Sequence, residues 1–297
     1  MKKKQKTVVT SQGEALKPHG QWGDVWRRLR RNKLAMVGMF IVIILVLIAI
    51  FADQIAPYAY NEEDFRNRML FPCAAHPFGT DNQGRDILSR VIYGGRISLL
   101  VSVMGVTISL TVGSLLGAVA GFYGGKLEFI VMRLMDILMS IPGNLLAVCI
   151  SAALGTGVWQ TALAAAVTGI PSSTRMLRAS VLSVREQEYI EATRAAGSSD
   201  TRMIWRHIVP NCLAPMIVDT TMRLGGTILM ISGLSFIGLG VQPPTPEWGA
   251  MLNAGRQYIR DFYPLVVFPG VAIMLTMFGF NVFGDGLRDA LDPKMKQ

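Results

Sequence analysis

The stretch LAMVGMFIVIILVLIAIFA, residues 34–52, contains no charged side chain and is dense in Ile, Val and Leu. A helix crossing a bilayer needs roughly 17–25 such residues, because every backbone polar group must be satisfied inside the segment. Residues 34–52 therefore read as a membrane span. Arg27, Arg28, Arg30, Arg31 and Lys33 precede it, and Glu62, Glu63, Asp64, Asp81 and Asp86 lie in the segment that follows. Positive charge collects on the cytoplasmic flank of a span. Residues 1–33 are accordingly a basic cytoplasmic segment, and residues 53–95 an external loop.

The whole composition agrees with this reading. Apolar residues make up 51% of the chain and charged residues 16%, more apolar surface than one soluble core hides. The net charge of +9 gathers in the first 33 residues and one later loop, which points to membrane flanks and away from nucleic acid. Lys2, Lys3, Lys4 and Lys6 are followed by a polar stretch, so the first apolar run is a retained span and not a cleaved leader. Cys73, Cys149 and Cys212 lack metal-ligand spacing.

Five more spans follow, at 97–122, 129–154, 158–171 with continuation past Pro171, 213–239 and 263–283. The expected architecture is an all-α integral membrane protein of six spans with both termini cytoplasmic. Residues 96–290 form a five-helix core interrupted by a polar loop at 172–212, and 291–297 a cytoplasmic tail. In the second span Gly105, Ser109, Gly113, Gly117 and Gly121 recur every fourth residue and stack on one helix ridge. That ridge serves either tight helix packing or a moving interface. The third span holds Arg133 and Asp136, spaced to neutralise each other, and Pro142. The loop Gln242-Pro243-Pro244-Thr245-Pro246-Glu247-Trp248-Gly249 is proline-stiffened, with a Trp suited to the membrane interface.

Asp219 and Arg223 lie one turn apart inside the fifth span. Two readings stay open for them: a mutual pair or contact with another subunit, and a lining of the translocation path. Enzymatic motifs are missing. No GxxxxGK[ST], GxSxG or HExxH occurs, and His19, His76 and His207 are far apart, so neither a nucleotide site, a catalytic centre nor a metal is expected in this chain.

Within 172–212, Ser183-Val184-Arg185-Glu186 has the form of a capping box. A helix from Val184 to about Ala196 would end at Gly197, suited to a left-handed cap. Ser198, Ser199 and Asp200 then offer a new N-cap for a second helix closed by Pro210. One face of this hairpin presents Ala192, Ala195 and Ala196 beside Glu188 and Glu191: small residues that admit a partner, and acids that anchor one.

Glu191-Ala192-Thr193, Gly197 and Pro210 resemble the EAA motif of ABC importer permeases, with Thr193 replacing the second Ala and His207 the usual Ile. The likeness sharpens in Gly79-Thr80-Asp81, Gly84-Arg85-Asp86, Ser89-Arg90, Gly95-Arg96, the run 234–240, the loop at 243–249, and Gly284-Asp285-Gly286 with Leu291-Asp292-Pro293. These look like the C-type subunit of the dipeptide, oligopeptide and nickel branch. The resemblance implies a type I importer fold in a bacterial inner membrane and a second homologous permease subunit. It also implies two cytoplasmic ATPase subunits that hold ATP and Mg, and an external substrate-binding protein. The coupling helix would comprise Glu188, Glu191, Ala192, Thr193, Ala196, Gly197 and Pro210. The cargo implied is a di- or oligopeptide, with a nickel complex, glutathione or another small solute as alternatives. A secondary transporter or channel is a further alternative, but its inverted repeats are not found.

Overall fold

A computed structural model describes residues 21–291. The early lysines, His19, Asp292 and Pro293 lie outside that range. Among the described residues the chain is helical, without a strand and with one isolated bridge between Thr80 and Asp86. The helices are α1 (Gln21–Arg31), α2 (Lys33–Ile50), α3 (Ala52–Ile55), α4 (Ile87–Tyr123), α5 (Gly125–Met139), α6 (Gly143–Leu154) and α7 (Val158–Arg185). After them come α8 (Glu188–Ala195), α9 (Asp200–Met203), α10 (Val209–Asn211), α11 (Leu213–Phe236), α12 (Trp248–Gly255) and α13 (Pro264–Leu291).

Helices α2, α4 and α13 are long and apolar enough to cross a membrane, and α5 with α6 makes a fourth candidate if the bent pair is one span. Asn32 caps α2, its side chain accepting from the Ala35 amide at 3.2 Å. Only Ala35, Gly38 and Ala49 of α2 are buried, while Leu34, Phe40, Ile43, Leu47 and Ile50 remain exposed. That division suits a helix with one side on protein and the rest in lipid. The close seam is with α13: a Cβ at Gly38 would stand 2.7 Å from the Phe283 amide nitrogen, and one at Gly286 2.1 Å from the Ala35 Cβ.

The small-residue ridge of α4 faces α7. A Cβ added at Gly105 would lie 3.1 Å from that of Ala165, at Gly113 2.5 Å from that of Ser173, and at Gly117 2.5 Å from the Thr174 carbonyl oxygen. Gly121 meets Val181 in the same way. Partner numbers rise together, so the two helices run in the same direction, packed backbone against backbone. Pro171 sits within α7, which passes through it as a 28-residue helix.

The third apolar segment departs from a single helix. Residues 129–154 are broken between Met139 and Gly143, and the two halves meet at 88°. Pro142 favours the break: it lacks an amide donor and pushes the preceding Ile141 away from helical geometry. Asp136 also has a nearer partner than expected. Its carboxylate lies 2.5 Å from Arg175 of α7 and 4.0 Å from Arg133. Glu128 and Arg178 make a second bond between the same helices.

Between α3 and α4 the chain folds into a cap held by buried charge. Asp81 accepts from the Arg85 side chain at 2.7 Å, and Arg90 lies 3.6 Å away. Asp86 caps α4 by accepting from the Ser89 amide and hydroxyl, and it also bonds His76. The Pro-rich loop closes onto this region, and Trp248 is buried there against the protein. Its indole donates to the Val91 carbonyl at 2.9 Å, while its ring covers Gly94 and Gly95.

Candidate functional site

The polar loop resolves into a hairpin, although not at the expected boundaries. Ser183 does not cap a helix; α7 remains helical through Arg185, and the next helix begins at Glu188. Tertiary contacts override the local capping box, because the Arg185 guanidinium donates to the carbonyls of Gly121 and Phe122 at the end of α4. The far end of α8 matches its glycine signal. Gly197 has φ +78, its amide donates to Arg194 at 3.0 Å, and the Ser198 amide reaches back to Thr193 at 3.3 Å. Those two bonds form a Schellman cap, which satisfies carbonyls the helix end leaves free.

Beyond the turn, Ser199 stands at the N-cap of α9 without a side-chain bond. Pro210 does not close the second helix. A π-turn at Ile204–Ile208 precedes it, and the helical path continues through α10 towards α11. A widened turn of this kind re-registers the chain and accommodates a residue without an amide donor.

The hairpin has two unlike sides. Ile190, Met203, Ile204, Ile208 and Cys212 are buried against Ala118 and Phe122 of α4 and Leu177 and Val181 of α7. Glu188, Glu191, Ala192, Ala196 and Gly197 are exposed, and Thr193 is half-buried. A Cβ at Gly197 would meet nothing within 4 Å. Trp205, Arg202 and Arg206 are also exposed, a set that sequence spacing alone did not bring forward. An apolar inner side thus fixes the hairpin to the α4–α7 pair and leaves a shallow, acid-bearing face uncovered.

Residues 113–297 match the family model described as "binding-protein-dependent transport system inner membrane component". The chain belongs to this family of ABC importer permeases. Residues 20–72 of the permease also match the N-terminal transmembrane domain of oligopeptide transport permease C. It is 46% identical over 275 residues to the dipeptide transport permease DppC of Alkalihalophilus pseudofirmus, covering 93% of this chain and 90% of that one. It is also 46% identical over 276 residues to the glutathione transport permease GsiD of Escherichia coli, with coverage of 93% and 91%. A solved structure of the MetNI methionine ABC transporter shares the fold. Its TM-score is 0.53 at 20% identity, over 69% of this chain and 96% of that chain. The permease is therefore a multi-pass inner-membrane transport subunit.

Inside the permease, Arg223 bonds Asp219 one turn earlier on α11, and its Nη1 donates to the Gly169 carbonyl of α7 at 3.2 Å. Both side chains are partly exposed. Arg223 also lines a cavity of about 270 Å³ with Ser109, Asn144, Thr168 and Thr227. Arg223 thus both pairs with Asp219 and borders this cavity. Among the described residues no group of three or more His, Cys, Asp or Glu side chains is placed to hold a metal.

Proposed function

We propose that this permease moves di- or oligopeptides into the cytoplasm as one of two homologous membrane subunits of an ATP-driven importer. It crosses the membrane six times with both ends cytoplasmic, and α7 and α11 serve as spans despite their charges. The chain carries no nucleotide site; ATP and Mg belong to two cytoplasmic ATPase subunits, and an external binding protein delivers the cargo. The relatives named for dipeptide and glutathione transport both favour peptide-like cargo.

One observation carries the coupling role: the exposed Glu188–Gly197 face stands on an apolar base shared with the α4–α7 pair. Glu188, Glu191, Ala192, Thr193, Ala196 and Gly197 form the docking surface, and Pro210 keeps the return path in register. Force on this face passes to a closely packed helix pair, and a floppy hairpin would absorb it. Each state of the cycle is favoured only by the differential affinity of nucleotide and cargo for it.

The test is reconstitution with the partner permease, ATPases and binding protein, followed by ATP-dependent uptake of labelled peptides. Glu191→Lys reverses a charge at the docking face and is expected to lower uptake and ATPase retention by roughly 10–100-fold. Unchanged uptake and ATP hydrolysis in Glu191→Lys would reject the docking role.

A further inference from the structure

Helix α11 carries two charged residues, Asp219 and Arg223, and a cavity opens on either side of their bond. Towards the hairpin lies a space of about 650 Å³ lined by Pro215, Asp219, Met222 and Arg288. Beyond the pair is the cavity of about 270 Å³ that holds Arg223, Asn144, Thr168 and Thr227. A third of about 290 Å³ continues along α11 past Asn144, Gly226, Gly233 and Ile237. From Ala214 to Ile237 the helix axis extends about 35 Å, close to the thickness of a bilayer's hydrocarbon core of about 30 Å. The cavities therefore succeed one another along a full membrane depth, with the ion pair at the junction of the first two.

Two glycines of α11 face open space along these cavities. A Cβ at Gly226 or Gly233 would meet nothing within 4 Å, so neither glycine is required by packing within this chain. The pair itself is incompletely sequestered, since both side chains keep part of their surface exposed. Charges at such depth are costly and are commonly kept for ion or substrate paths. A ligand that displaces one partner from the other must replace its charge, or a partly buried ion is left uncompensated.

We infer that the Asp219–Arg223 pair is an exchange site for a zwitterionic, peptide-sized cargo, whose carboxylate takes Arg223 and whose ammonium takes Asp219. The exchange replaces the one pair within the chain by two between chain and cargo, so neither side chain is left without a counter-charge while the cargo crosses the junction. The Asn144, Thr168 and Thr227 side chains supply neutral hydrogen-bonding groups on the Arg223 side. This inference rests on the import reading and names the chemistry of its path.

The test uses the purified assembly of this chain with its partner permease and ATPases, without binding protein or nucleotide. Thermal unfolding is followed with alanine, dialanine, N-acetyl-dialanine and dialaninamide up to about 50 mM, since a ligand of the native state raises the midpoint. Dialanine should raise it more than either capped peptide and more than alanine. Arg223→Gln should erase the difference between dialanine and its amide, and Asp219→Asn the difference between dialanine and its acetyl form. Equal shifts from all four ligands, no shift with dialanine, or a larger shift with alanine overturns the inference. The wild-type ligand series is decisive even when a variant does not assemble.

Uptake of dialanine into vesicles holding the same assembly, its binding protein and ATP is measured in parallel. Arg223→Gln is expected to reduce it roughly 10–100-fold, as loss of a hydrogen bond to a charged group predicts. Absence of wild-type uptake rejects the import reading. Uptake accompanied by ligand-indifferent unfolding rejects the exchange site alone.

Discussion

Glu247 is a fully buried carboxylate held by neutral groups. It accepts from the Ala250 amide at 2.9 Å, which caps α12, and from the Ser98 hydroxyl of α4 at 3.0 Å. Replacing it with Ala removes the cap and takes the acceptor from the Ala250 amide and from the Ser98 and Ser232 hydroxyls, for an expected loss of about 1–3 kcal/mol. Glu247→Gln keeps an acceptor of the same length and is expected to cost less than half of that. Thermal unfolding of the two variants in detergent checks the order; equal losses would mean that the acceptor geometry is not the cause. Residue-scale signals were legible where they acted locally: Gly197 has the left-handed conformation its place after α8 suggested. Ser183 and Glu186 had the right spacing for a cap, but their neighbour Arg185 was already bonded to α4, and no local pattern announces such a bond.

At the scale of elements, the contact between α4 and α7 gives the four-residue spacing of small side chains its meaning. Gly117 faces the Thr174 carbonyl so closely that a Cβ there would stand 2.5 Å from it. Neither backbone can yield without disturbing the rest of the seam. Gly117→Val is therefore expected to destabilise the permease by about 1–3 kcal/mol through overpacking, and to lower ATP-coupled uptake. Gly143→Ala is the control, because a Cβ there meets nothing within 4 Å. Its effect on the unfolding midpoint should be small, within roughly 0.5–1 kcal/mol and of stabilising sign. A midpoint for Gly117→Val matching that of Gly143→Ala would mean that the seam tolerates separation. The ridge was visible in sequence, yet its partner was not, since helical periodicity names a face without naming what covers it. The break at Pro142 depends likewise on more than its sequence, because α7 continues through Pro171.

For the molecule as a whole, the proposed topology sets the hairpin and the cap before α4 on opposite sides of the membrane. Ser199 and Glu62 are both exposed and suit single-cysteine reporters once Cys73, Cys149 and Cys212 are replaced. In sealed right-side-out vesicles, an impermeant maleimide should label Glu62→Cys at once and Ser199→Cys only after permeabilisation. Labelling of both from one side would reject the six-pass arrangement. The sequence by itself determined that this is a helical membrane permease, because apolar length, charge flanks and motif spacing are local quantities that survive without coordinates. Only the tertiary structure decided which acid meets which arginine, where α7 ends, and that Trp248 is buried. It also revealed the cavities that succeed one another along α11 around the paired Asp219 and Arg223. Those features depend on contacts between segments remote in the chain, and the energies of such contacts are set by packing and burial that no single stretch contains.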